Sequence, residues 1–262
     1  DKQGNILDIT RIKKSIPTIR EIINQGGSVI IMTHMGRPKG GYVEKYSLKR
    51  LLPILEEHLG KTVKWADDCI GQVAFDQVSN LSSGEILLLE NVRFYPEEKM
   101  GDRDFAYQLA QLGDIYVNDA FGAAHRTHAS TAIIAEYFGA AKCFGQLMQK
   151  EINSIEKVLQ EDVPFTAVIG GGKVSDKVGI LDKLMDKADN LLIGGAMAYT
   201  FIKAKGGNVG DSKVEDKNIE LAKRFIAKAE KNNVSLRLPK DSRIAVNMNE
   251  DSEVQVADSM AI

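Results

Sequence analysis

Between residues 28 and 238, short apolar runs alternate with segments of helical periodicity. Parallel strands need a crossover helix between them, so this alternation marks βα units and commits the chain to an α/β fold with parallel sheets. Strands are expected at residues 28–33, 62–65, 85–89, 114–118, 165–169, 190–193 and 234–238, with weaker signals at 243–249 and 253–256. Leu48, Leu52, Leu55 and Leu59 recur on one face and predict a helix over 47–58, capped by Ser47 and stopped by Gly60. Ser15 ahead of Pro17, with Ile16, Ile19 and Ile23 in register and Gly26 and Gly27 closing, predicts another helix that starts at Ser15. Met148, Ile152, Ile155 and Leu159 define a helix over 147–160, and Leu221, Phe225 and Ala229 one over 216–232.

At 262 residues the chain has room for two cores. The stretch at 147–161 is neither Gly/Ser-rich nor Pro-rich, so it reads as a helical connector between a first domain at 1–146 and a second at 162–262. Apolar residues make up 44% and charged residues 27%, which excludes disordered and collagen-like classes. Lys and Arg number 34 against 36 Asp and Glu, a formal charge of -2. No global field therefore draws the molecule to nucleic acid or an anionic membrane, and any anion site must be local. Cys69 and Cys143 stand far apart, outside any CxxC or zinc spacing, so neither a disulfide nor a metal knuckle is expected and a reducing, cytoplasmic setting is. The first eleven residues lack a basic-then-apolar leader, and no stretch reaches the roughly 20 apolar residues of a membrane span. The chain opens without Met and stops at Ile262 without a closing signal, so both ends read as cut.

Ligands of open parallel sheets bind beyond the carboxyl ends of the strands. Three first-half strands run there into His34-Met35-Gly36-Arg37, into Glu90-Asn91-Val92-Arg93, and into a longer loop with His125, Arg126 and His128. Arg binds phosphate or carboxylate oxygens in pairs and stays charged when desolvated. If the strands are neighbours, the three loops converge on a small polyanion. A single such Arg would more simply pair on the surface with Glu90 or Asp119. Three at equivalent positions favour a site, and residues 1–150 carry 18 basic and 18 acidic residues, so general basicity does not explain the clustering. His34 and His125 are the stronger imidazole candidates, while His128 serves equally well as a capping or packing residue.

The second half opens with a strand that runs into Gly170-Gly171-Gly172-Lys173-Val174-Ser175-Asp176-Lys177 and then a helix with stripe Val178, Leu181, Met185 and Ala188. Glycines let backbone N–H groups approach phosphate oxygens, and a helix start adds partial positive charge. The stretch is neither a Walker A loop nor GxGxxG. Lysines flanking a helix start are disfavoured by the dipole unless an anion binds there. Gly194-Gly195-Ala196 ends a second strand with similar close-approach chemistry.

With these motifs in view the chain resembles the phosphoglycerate kinase family, of bacterial type, over nearly all of residues 5–240. The likeness rests on DITRIKKSIPTI (8–19), THMGRP (33–38), ENVRF (90–94), NDAFGAAHRTHAS (118–130), GGGKVSDK (170–177) and GGAMAYTF (194–201). The resemblance implies two Rossmann-like, doubly wound parallel-sheet domains joined by a helix, the second incomplete here. It implies 3-phosphoglycerate or 1,3-bisphosphoglycerate on the first domain and ADP or ATP with Mg²⁺ on the second, in a monomeric glycolytic enzyme. By resemblance Arg11 meets the transferring phosphoryl group, and His34, Met35, Gly36, Arg37, Arg93, His125 and Arg126 hold the triose. Lys173 shields the phosphoryl in flight, Lys177 binds nucleotide phosphate, and Gly171, Gly172, Gly194 and Gly195 line the nucleotide. The family's opening strand would precede Asp1, and its Mg²⁺ carboxylate would follow Ile262, so no metal ligand is expected within this chain. Ala196 stands where the family has glycine and is expected to crowd the nucleotide slightly. A noncatalytic phosphometabolite-binding fragment is the alternative, and very slow turnover is expected of residues 1–262 alone.

Overall fold

The computed structural model describes residues 6–160, 164–247, 249 and 252–262. It divides into two compact units, Asp1–Ile155 and Glu156–Ile262. The first unit runs α1 (Thr10–Asn24), β1 (Val29–Ile31), α2 (Leu52–Leu59), β2 (Val63–Ala66), α3 (Gly71–Ser79), β3 (Ile86–Leu89), α4 (Pro96–Met100), α5 (Arg103–Ala110), β4 (Tyr116–Asn118) and β5 (Lys142–Phe144), and α6 (Gln146–Gln160) crosses the division. The second contains β6 (Thr166–Gly170), α7 (Val178–Leu184), β7 (Asn190–Gly194), α8 (Met197–Ala204), α9 (Ile219–Lys231), β8 (Ser235–Arg237), β9 (Asp241–Ile244) and β10 (Gln255–Asp258). No helix among the described residues is long and apolar enough to cross a membrane.

In the first unit β1, β3 and β2 form a parallel sheet with β3 in the middle, Ile31 opposite Leu88 and Ala66 opposite Leu89. The run Ile86-Leu87-Leu88-Leu89 is buried on both faces, as a central parallel strand covered by helices on either side must be. Leu87 and Leu89 pack with Phe105 and Leu109 of α5, while Ile86 and Leu88 pack with Ile16, Ile19 and Leu55 of α1 and α2. Removing any one of these large side chains leaves a cavity that costs about 2–5 kcal/mol. The fourth expected strand, β4, does not join this sheet: it pairs in parallel with β5, an exposed edge of three residues too short to register as a pattern in the sequence.

Several helix ends differ from expectation. Helix α1 starts at Thr10 because Asp8 accepts the Thr10 N–H at 2.8 Å; Ser15 lies inside the helix, its hydroxyl donating to the Ile12 carbonyl at 2.8 Å, and Pro17 is also internal. The expected 47–58 helix begins as a tight 3₁₀ turn over Leu48–Leu51, with the Ser47 hydroxyl accepting from the Lys49 N–H, and ends at Gly60 in the left-handed region. Along α6 Met148 is buried but Ile155 is exposed, so the expected stripe does not bury its whole length. Residues 161–163, where the connector ends and the second domain was expected to restart, lie outside the described residues, as does Met248 within the expected 243–249 strand, and the side chain of Leu159 is likewise not described.

The second unit places β7 between β6 and β8, all parallel, over a core of Leu181, Met185, Leu191, Phe201 and Phe225. The pattern changes after Pro239. Strands β9 and β10 pair antiparallel, with the buried hydroxyls of Ser242 and Ser259 bonded at 2.7 Å.

Candidate active site

The neighbouring strands β1 and β3 bring two of the three expected loops together. Val92 N–H donates to the Thr33 carbonyl at 3.3 Å, and the amide of the fully buried Asn91 donates to the carbonyls of Met35 and Tyr46 at 2.8 and 2.9 Å. Glu90, also buried, accepts from the Ser47 hydroxyl and from the N–H groups of Leu48 and Asn91. Glu90 and Asn91, the first two residues of the ENVRF stretch, are therefore struts that join the loops. Arg93 lies in the 3₁₀ turn Val92–Phe94 that follows, only 9% exposed, with Nη1 donating to the Gly36 carbonyl at 3.2 Å and Nε buried without a partner. Met35 and Gly36 thus hold the site through their main-chain carbonyls.

The third loop reaches the same place although β4 has no ladder to β1, β3 or β2. His34 is charged with difficulty, because burial and then the charges of Arg93, His128, Arg11 and Arg126 push its pKa down to about 4. Burial also lowers Arg93, assisted by Arg126 and Arg37 and opposed by Glu98. Arg93, His128, Arg11 and Arg126 thus act on His34, and Arg126 and Arg37 act on Arg93. Arg11, Arg37, His125 and Arg126 are solvent-exposed, and His125 is not among the groups acting on His34. The surface-pairing explanation fails: Glu90 is engaged as above, and Asp119 accepts from the Thr18 hydroxyl at 2.6 Å and the Met148 N–H at 3.0 Å. Among the described residues no ion pair reaches Arg37, Arg93 or Arg126. His128 is buried at 8% exposure and its Nδ1 faces Glu98 at 3.6 Å.

In the second unit the glycine edges of β6 and β7 meet. The Met197 N–H donates to the Gly171 carbonyl at 2.9 Å, and Gly195 holds φ +69 with its α-carbon against the Gly171 backbone. Gly170, Gly172 and Gly194 have open space where a side chain would stand. Lys173 is exposed, and Lys177, at the end of the 3₁₀ turn Ser175–Lys177, brings its ε-carbon near Gly171. The expected cradle is altered in one respect: the N–H groups of Val174 and Ser175 donate to Glu215 at 2.6 and 3.1 Å, and the Ser175 hydroxyl donates to it at 2.7 Å. An internal carboxylate occupies those donors, which leaves the glycines and lysines as the open part of the rim. Ala196 has ordinary helical dihedrals at the start of α8, so the backbone makes no demand for glycine there. Glu98 and Glu215 carried no sequence signal, since each acts through contacts made 32 and 40 residues away.

Parallel sheets edged by a cationic rim in one unit and a glycine–lysine rim in the other define the chain as an α/β protein of parallel sheets and covering helices. The phosphoglycerate kinase family model matches residues 1–262. A phosphoglycerate kinase of Porphyromonas gingivalis is 44% identical over 287 residues, covering 100% of this chain and 68% of that protein. The solved phosphoglycerate kinase of Coxiella burnetii superposes with a TM-score of 0.78 at 36% identity, and that of Pyrococcus horikoshii OT3 with 0.76 at 30%. These alignments cover 99% and 98% of this chain but 65% of each solved chain, so the chain spans about two thirds of the length of its relatives. The chain belongs to the phosphoglycerate kinase family.

Proposed function

We propose that the rim of the first unit binds 3-phosphoglycerate or 1,3-bisphosphoglycerate, that the glycine–lysine rim of the second binds ADP or ATP, and that the protein transfers a phosphoryl group reversibly between them. The observation that carries this reading is the gathering of Arg11, His34, Arg37, Arg93 and Arg126, with no ion pair to Arg37, Arg93 or Arg126 among the described residues. Like charges brought together at a cost in self-repulsion are explained by a ligand with several negative charges. Phosphoryl transfer needs alignment and neutralisation of spread charge rather than a covalent intermediate. Arg11 and Lys173 are the groups assigned to the moving phosphoryl, the remaining cations to the triose, and Gly171, Gly172, Gly194, Gly195 and Lys177 to the nucleotide. Residues 1–146 form the triose domain in this reading, 147–161 the connector and 162–262 the nucleotide domain. No group of three or more metal-ligating side chains stands together among the described residues, so Mg²⁺ would enter on the nucleotide phosphates, where it neutralises charge. A monomeric cytoplasmic enzyme follows from the family resemblance alone.

Calorimetric titration of the chain with 3-phosphoglycerate and separately with ADP tests the two sites. Saturable binding of each is expected, weakened about tenfold or more for the triose in Arg37→Ala and for ADP in Lys177→Ala. Absence of triose binding, or undiminished affinity in Arg37→Ala, refutes the assignment.

A further inference from the structure

We propose that Glu98 is a positioning residue for the cationic site: its buried carboxylate, bonded to Ser130 and facing His128, fixes the loop that carries His125 and Arg126 against Arg93. The inference rests on the reading of that site as a triose-phosphate site. Because β4 forms no ladder with β1, β3 or β2, sheet pairing does not set where the loop after β4 lies relative to the other two. Glu98 is 1% exposed and sits in α4, directly after the turn that holds Arg93. Its Oε2 accepts the Ser130 N–H at 2.8 Å, its Oε1 accepts the Ser130 hydroxyl at 2.7 Å, and its main-chain carbonyl accepts the Ala129 N–H at 2.9 Å. Oε1 also faces His128 Nδ1 at 3.6 Å. At the end of α4 a side chain on Gly101 would lie 2.4 Å from the Thr127 carbonyl, so the two segments touch along their backbones as well.

A neutral amide could tie two segments together more cheaply, because a buried carboxylate bears a desolvation cost that an amide does not. The charge acts on a guanidinium and an imidazole: it raises the pKa of both Arg93 and His128 against the burial that lowers them. Glu98 thereby offsets part of the cost of burying the Arg93 guanidinium and the His128 imidazole.

Charge and position predict opposite signs on removal, which makes the proposal testable. Glu98→Gln deletes one negative charge, so a purely electrostatic role predicts tighter anion binding, whereas a positioning role predicts weaker binding. Glu98→Gln is expected to weaken 3-phosphoglycerate binding about tenfold, the scale of one charge-assisted hydrogen bond. Inorganic phosphate, too small to span the loops, should bind no more weakly than before, and the His128 resonance should titrate at lower pH. Ser130→Ala, which keeps the carboxylate, is expected to weaken the triose about threefold. Equal or tighter triose binding by Glu98→Gln overturns the proposal. If thermal melting shows that variant unfolded, unchanged triose binding by Ser130→Ala overturns it. Failure of the unsubstituted chain to bind 3-phosphoglycerate removes the proposed function and this inference with it.

Discussion

Gly195 and Gly171 are in backbone contact: a side-chain carbon on Gly195 would stand 2.8 Å from the Gly171 carbonyl oxygen and 2.9 Å from its nitrogen. Two strand ends are thereby drawn close enough for a ligand to meet main chain from both. Gly195 also holds φ +69, so an alanine there would carry backbone strain in addition to the collision. Gly195→Ala should lower stability by about 2–4 kcal/mol, combining left-handed strain with displaced backbone. Ala196→Gly, at an ordinary helical position, should change it by well under about 1 kcal/mol. Urea denaturation of the two variants measures the contrast, and equal midpoints would contradict the geometry.

His34 makes stability depend on pH. Its folded pKa, about 4, lies below the ordinary value of 6.5, so between those two values the unfolded chain binds more protons and stability rises with pH. The contribution is fully present above 6.5 and lost as pH falls towards 4, worth at most about 3 kcal/mol. His34→Gln should flatten that slope. Phosphate or 3-phosphoglycerate, by supplying negative charge, should raise the His34 titration midpoint followed by NMR. A free-protein midpoint near 6.5 would show that neither burial nor the arginines act as described.

The arginines divide by burial. Arg37 is exposed and Arg93 is 9% exposed, so Arg37→Ala should weaken 3-phosphoglycerate about tenfold or more with the melting temperature unchanged. Arg93→Ala should weaken it comparably and also destabilise the fold by roughly 1–3 kcal/mol, through loss of the bond to the Gly36 carbonyl and of packing. Paired calorimetry and melting curves separate the two behaviours, and identical curves for both variants would remove the distinction.

Glu215 is drawn below the ordinary carboxylate range by the Ser175 and Val174 donors and by Lys173, against the burial that raises it. Glu215→Ala leaves the N–H groups of Val174 and Ser175 without that acceptor and should cost about 1–2 kcal/mol. ADP binding should fall with it, because the lysine-bearing turn loses its anchor. Hydrogen exchange at Val174 and Ser175 reports the change directly, and unaltered protection would argue against the anchor.

The parallel strands β1, β3, β6 and β7 were legible as short apolar runs at residues 29–31, 86–89, 166–170 and 190–194; of these only β3 is buried along its whole length, as a central parallel strand must be, whereas β6 alternates exposed and half-buried residues. Strand β5 was not, since three exposed residues, Lys142 to Phe144, leave no periodicity to read. The start of α1 was misread at Ser15 because Asp8 and Ser15 are both capping residue types, and which one engages the backbone depends on where the chain turns.

The candidate site divides along the same line. Arg37, Arg93 and Arg126 stood out through their place after strands, and the glycines of 170–172 and 194–195 through their spacing, all local properties of the chain. That β4 stands apart from the β1–β3–β2 sheet, that Glu98 ties its loop back through Ser130, that Glu90 and Asn91 brace the rim, and that Glu215 takes the Val174 and Ser175 donors were decided only in three dimensions. Periodicity is written into neighbouring residues by the geometry of helix and strand, whereas the partner of a buried polar group is chosen by whichever distant segment folding brings within hydrogen-bond reach.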